Sequence, residues 1–265
     1  MTKIKMNALL AKTDHLASSY KKGIEEYVTF FKKKQGSFKG EKKTYAAKEG
    51  TIDIPSERRN EKVVSTVKEQ LDWLTETSEE YINALFAQEA TNASGTPKAI
   101  VMVDGVEFGE FSSLELLRLK SLLESGTLEE MYKNIPVRSD SEEWKEVTEE
   151  MYQGRQIFES PKMSGIKKST TKESYILQDP NVSSGKTDNY VPQIAQKDTI
   201  TELGDYTHQR FSGEWSHRER AELLRRRTKL LSGVIEALKS ANDVEAVTSQ
   251  MNAGKLFGYL HSGKI

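Results

Sequence analysis

The stretch that most constrains this chain is residues 98–124, KAIVMVDGVEFGEFSSLELLRLKSLLE, where strand, turn, cap and helix signals follow one another. Asp104-Gly105 is a two-residue turn of the kind that closes a β-hairpin, because both central positions take positive φ. Its flanks, Ala99–Val103 and Val106–Phe111, are rich in β-branched and aromatic residues. A two-residue loop pairs Val103 with Val106 and Val101 with Phe108. Those four then share one face, which is expected to be buried. Ser112 or Ser113 caps a following helix that carries Leu114, Leu117, Leu119, Leu122 and Leu123.

Long helices are expected on either side. Over 5–34, Met6, Leu9, Leu16, Tyr20, Ile24, Tyr27 and Phe31 keep a nearly regular three-four spacing, with Thr13 in the missing slot. Over 61–90, Val64, Val67, Leu71, Leu74, Ser78, Tyr81 and Leu85 keep it without a break. Over 216–240, with Ser216 as cap, Leu224, Leu231, Val234 and Leu238 form a seam, with Arg227 among them. Charged residues make up 30% of the chain and hydrophobic ones 36%, a balance that suits long helices with wide solvated faces.

Between the helices the signals weaken. Residues 35–60 form a long connection with short extended pieces. In 139–161, Trp144, Val147 and Met151 lead to a turn at Gln153-Gly154 and a return strand at Ile157-Phe158. Residues 160–212 are rich in Ser, Thr, Lys, Gln and Asn, and no helix period appears. An extended arm with short strands, such as Ser174–Leu177, competes there with a disordered linker. Tyr175, Tyr190, Tyr206 and Phe211 favour the arm. The chain closes on an apolar run that includes Leu256, Phe257, Tyr259 and Leu260, expected to dock on the core or on a neighbour.

Composition removes several chemistries. There is no cysteine, so thiol catalysis, disulfides and thiolate metal sites are absent. The 39 basic and 40 acidic residues give a net charge of −1, with no overall pull toward nucleic acid or anionic membrane. No run approaches the ~18 apolar residues of a spanning helix. The first twenty residues lack a signal-peptide core and read as the start of a helix in a cytoplasmic protein.

The polar motifs are weak. Ser184-Gly185-Lys186-Thr187 ends like a phosphate-binding loop, but Pro180 stands where that loop needs Gly. His15, His208, His217 and His261 lie on separate segments without metal-pair spacing. Asp205, His208 and Arg210 could join His217 near a helix start. Arg218, Arg220, Arg225, Arg226 and Arg227 form the densest basic group, interleaved with Glu214, Glu219 and Glu222. Ion pairing accounts for that group more simply than an anion or nucleic-acid surface. Lys32-Lys33-Lys34 with Lys39, Lys42 and Lys43 reads as a helix end and a solvated loop.

The V-M-V-D-G hairpin, the Leu-rich helix, Ile135-Pro136, Glu142–Trp144 and the tail at Gly254 and Leu256–Leu260 together resemble an uncharacterised family of bacterial proteins. Its members carry a V-x-V-D-G hairpin, a Leu-rich helix ending in L-P or I-P, and a similar F-G-Y-L tail. The resemblance implies one bacterial or phage-borne fold and supplies no catalytic residue.

The expected fold is α+β: a long-helix antiparallel bundle with coiled-coil-like seams, one or two small β-hairpins and a long extended arm. Its segments, expected to form one domain overall, are 1–97, a helix hairpin with loop 35–60; 98–160, a hairpin–helix–hairpin insert; 161–212, the arm; and 213–265, helices completing the bundle. The expected function is that of a non-enzymatic structural or interaction protein acting as a homo-oligomer, with Phe257, Tyr259, Leu260, Tyr175 and Tyr190 at the interface. One alternative is a small-molecule or nucleotide-binding module with anion sites built from Arg218, Arg220, Arg225, Arg226, Arg227, His208 and His217. A second is nucleic-acid binding, which is disfavoured but stays open. No catalytic residue, metal, cofactor or membrane partner is assigned.

Overall fold

Three helix starts are set by the same four-residue device, a Ser or Thr followed three positions later by Glu. Thr66 Oγ1 accepts from the Glu69 amide at 3.1 Å, and Glu69 Oε2 accepts from the Thr66 amide at 2.9 Å. Ser112 and Glu115 exchange the same bonds at 3.4 and 2.9 Å, and Ser216 and Glu219 at 3.2 and 2.6 Å. Each pair satisfies two backbone donors that a helix end leaves open.

The computed structural model describes residues 6–147, 152–176 and 194–243. In chain order these form α1 (Met6–Lys33), β1 (Lys39–Ala47), β2 (Arg59–Glu61), α2 (Val67–Asn92), β3 (Lys98–Val103), β4 (Val106–Ser112), α3 (Ser113–Leu123) and α4 (Gly126–Lys133). Then come β5 (Lys145–Glu146), β6 (Phe158–Glu159), β7 (Met163–Ile176), β8 (Ile194–Ser212) and α5 (His217–Ala241). The chain divides into two compact units, residues 1–19, 80–129 and 224–265 in one, and 20–79 and 130–223 in the other.

The second unit is built on β8, which overturns the expected helix bundle. A six-stranded antiparallel sheet runs in the order β2-β1-β8-β6-β5, with β7 also paired to β8. One edge of β8 takes β1, from Lys39↔Ser212 to Ala47↔Gly204. The other takes β6 at Phe158↔Ser212 and then β7, from Met163↔His208 to Ile176↔Ile194. The predicted second hairpin is the short β5–β6 pair, in register Lys145↔Glu159 and Glu146↔Phe158. Met151 lies outside the described residues. The segment expected to be an arm with short strands instead supplies the two longest strands of the largest sheet, β7 and β8.

The helix seams are used differently from the expectation. Ile24, Tyr27 and Phe31 of α1 are buried. Tyr27 meets the Trp73 ring at 6.1 Å between centroids, and Phe31 meets Phe38 at 6.0 Å. The seam of α1 therefore closes on an aromatic cluster, and no two described helices share an extended close interface of the coiled-coil kind. Helix α2 begins six residues later than the spacing suggests, at its Thr66 cap, which leaves Val64 outside the helix and exposed. Burial of Val63, Tyr152, Ile157 and Phe211 closes the core beneath the sheet.

In the first unit, the hairpin predicted around Asp104-Gly105 is present. Asp104 has φ 52° and Gly105 φ 79°, and Val103 pairs with Val106. The four-residue buried face is not. A register shift after Val101 pairs it with Gly109, so Phe108 falls in a bulge. Val101 is buried, while Val106 and Phe108 are 69% and 54% exposed. Ala99 and Val101 form a core with Leu116 of α3 and Val234, Ala237 and Ala241 of α5. Helix α5 comes so close that a Cβ on Gly233 would strike the Met102 carbonyl oxygen.

Candidate interaction surface

The sheet has a part that leaves the core. Strand β1 stops at Ala47, opposite Gly204. Past that point only β7 accompanies β8, from Lys168↔Glu202 to Ile176↔Ile194. Among the described residues, this two-stranded ribbon has no strand on either outer edge. From Lys168 to Tyr175 and from Ile194 to Glu202 its side chains are exposed or half-buried on both faces. Ile194, Ile200 and Tyr175 are 65%, 63% and 50% exposed.

Opposite charges face each other along the ribbon. Lys168 faces Glu202, Lys172 faces Asp198, and Glu173 faces Lys197 across the two strands. A one-residue slip would break all three pairs. Hydroxyl and β-branched residues fill the positions between, Ser169 opposite Thr201, Thr170 opposite Ile200 and Thr171 opposite Thr199.

The ribbon's root is densely bonded. Glu202 accepts from Lys48 Nζ and lies 3.7 Å from Lys168 Nζ. The Lys48 ammonium hydrogen-bonded to it holds the Glu202 carboxyl below the usual carboxylate range, and Glu202 in turn raises Lys48. Nearby, Glu57 accepts from Lys167 Nζ at 2.8 Å and from Lys43 Nζ. The two ammonium donors pull its pKa down to about 2.

The residues singled out in the sequence are scattered rather than gathered. His208 is half-buried on β8, with Nε2 3.0 Å from Glu41 Oε1. Arg210 lies two residues on, paired with Glu142, and strand alternation sends Asp205 to the opposite face. His217 and Arg218 are exposed at the start of α5. Arg220 donates to the Lys133 and Ile135 carbonyls at 3.3 and 3.1 Å, just past the end of α4. Arg227 donates to the Leu123 carbonyl at 2.7 Å and to Glu129 at 3.0 Å. Arg225 and Arg226 are engaged in interactions of their own. Three of the loop lysines are paired, Lys32 with Glu130, Lys39 with Glu214 and Lys43 with Glu57. Tyr175 is on the ribbon. Tyr190, Phe257, Tyr259 and Leu260 lie outside the described residues, as does the loop at 184–187.

One buried carboxylate stands apart. Glu214 is nearly enclosed, with Ser212 Oγ donating at 3.1 Å and Lys39 Nζ at 3.5 Å. Burial raises its pKa despite both partners. The Arg138 guanidinium stacks 3.8 Å over the Phe158 ring and donates to the Glu214 carbonyl oxygen. These contacts tie the end of β8 to the loop after α4. Among the described residues, no group of three or more His, Asp or Glu side chains is placed to hold a metal ion. None of the described helices is long and apolar enough to cross a membrane.

The sequence profile of a family of unknown function, DUF7873, matches residues 3–263. The chain belongs to that family. The match spans the hairpin, the sheet and the long helices, so the DUF7873 region takes in both compact units. No curated protein and no solved structure matches this DUF7873 chain.

The sequence points to an extended arm with short strands over 160–212 but not to the β7–β8 pairing, because a strand is recognised most readily by alternating burial. A strand wet on both faces has none. The available signal was β-propensity with matched charges: Ser169-Thr170-Thr171 and Thr199-Ile200-Thr201, bracketed by lysines and acids.

Proposed function

We propose that this protein is a non-enzymatic structural or interaction protein that assembles with copies of itself, and that the β7–β8 ribbon is its assembly arm. The observation that carries the reading is the ribbon beyond Ala47 and Gly204, open at both edges among the described residues and exposed on both faces. An isolated two-stranded hairpin is marginal in water, and open edges invite pairing. Such an element gains stability when another chain covers it.

A second copy is the occupant that the charge pattern favours. Lys168, Lys172 and Lys197 are balanced on the ribbon by Glu173, Asp198 and Glu202. A two-fold interface brings the same patch against itself and must be self-complementary. A surface of mixed, alternating sign meets that condition, whereas a surface of one sign would repel its own copy. A reducing, cytoplasmic setting belongs to the proposal and is supported by the absence of cysteine.

Light scattering on a dilution series in the micromolar range tests the reading. The expected result is a mass that is a multiple of the 30.0 kDa chain and falls on dilution. A mass of one chain throughout would overturn it.

A further inference from the structure

We propose that the ribbon is a hinged arm whose direction is fixed at its root by a bracket of Lys48, Thr51 and Glu202 around the bulged residue Leu203. This rests on the reading of the ribbon as an assembly arm. The register supplies the hinge: Lys167 pairs with Gly204 and Lys168 with Glu202, so Leu203 has no partner on β7. A bulge of this kind bends the strand and increases its twist, and it leaves backbone groups to be satisfied elsewhere.

The bracket satisfies one of them, the carbonyl of Leu203. The Leu203 carbonyl accepts from the Lys48 amide at 3.0 Å and lies 2.6 Å from Thr51 Oγ1. The Thr51 hydroxyl is also 2.7 Å from the Lys48 carbonyl, so its single proton serves one acceptor at a time. The turn that presents both residues is closed by the Thr51 amide on the Lys48 carbonyl at 3.0 Å, with Gly50 at φ 78°. On the far side of the bulge, Glu202 accepts from Lys48 Nζ and faces Lys168 across the ribbon. One turn thus holds the carbonyl of the bulge and the first residue pair beyond it. Past that pair the ribbon has no further described partner strand. Among the described residues the bracket is therefore its last fixed point, and loosening it frees the arm while leaving the pairs farther out, Lys172 with Asp198 and Glu173 with Lys197, in place.

The chain has no cysteine, so spin labels at introduced Asn60→Cys and Ser174→Cys report the distance from β2 to the ribbon. Both positions are exposed. Pulsed electron–electron resonance is run on labelled chain diluted with unlabelled chain, so that only distances within one copy are read. The expected result is one narrow distance distribution in the parent. It widens about twofold or more in Thr51→Val with Glu202→Gln, as for a released hinge, and stays narrow in Thr51→Ser, which keeps the hydroxyl. Thermal unfolding of each variant confirms that it is folded. Equal widths in parent and double variant, or a broad distribution already in the parent, would overturn the bracket. The distances are read within a single copy, so a monomeric chain with a releasable arm would sink the assembly reading and leave the bracket standing.

Discussion

Glu57 and Glu214 respond to acid in opposite directions. Glu57 is held at about pKa 2 by Lys167 and Lys43, below the ~4.3 of a free glutamate. Its contribution to stability is complete above the unfolded value and is lost as the pH falls from there toward about 2. Urea midpoints measured across that window should fall for the parent and fall less for Glu57→Gln. Glu214 is raised by burial. Its favourable share is present below the unfolded value and is lost as the pH rises through the folded one. Glu214→Gln should therefore flatten the slope on that higher side, in the same titration. In the aromatic cluster, burial lifts Tyr27 to about 12. Its phenol should stay protonated past the ~10 of free tyrosine, and absorbance at alkaline pH reads it directly. Leu116 is fully buried, and Leu116→Ala should cost about 2–5 kcal/mol in chemical denaturation.

Among the elements, the capped helices show what the sequence disclosed and what it hid. The apolar spacing of α1 predicts its observed end at Lys33 to within a residue, and α5 begins at its expected Ser216 cap. The apolar spacing places the start of α2 too early because Val63 and Val64 extend the period, whereas Thr66 and Glu69 decide where the backbone turns. Thr66→Ala should cost about 1 kcal/mol, read by thermal unfolding, while Val64→Ala should be close to neutral. The hairpin turn was legible in Asp104-Gly105, but its buried face was not. The bulge at Phe108 is a matter of register, and α5 chooses which face to cover through Gly233. Gly233→Ala should be destabilising because the added methyl meets the Met102 carbonyl oxygen. The extended character of the ribbon is legible in the sequence, whereas the partner of each strand is not, because β7 and β8 are separated in sequence by residues 177–193 and show no alternation of burial. Of the candidate site residues, Arg220 and Arg227 sit where the helix period put them, one heptad apart. Their targets are carbonyls at the ends of other helices, which only the tertiary arrangement supplies.

For the whole molecule, the DUF7873 match takes in residues 3–263, and the role of the chain rests on physical argument. Past the Leu203 bulge the ribbon runs, among the described residues, with no strand on either outer edge, and a second copy is the proposed cover. A shortened chain isolates that element: an Asn-Gly turn replaces residues 171–199 and joins Thr170 to Ile200, which already face each other. The six-stranded sheet and its core are left in place. Native mass spectrometry of the full and shortened chains at the same micromolar concentration is the most direct test. The account predicts a multiple of 30.0 kDa for the full chain and the mass of a single copy for the shortened one. A full chain that flies as a single copy, or a shortened chain that keeps the full chain's stoichiometry, would contradict it.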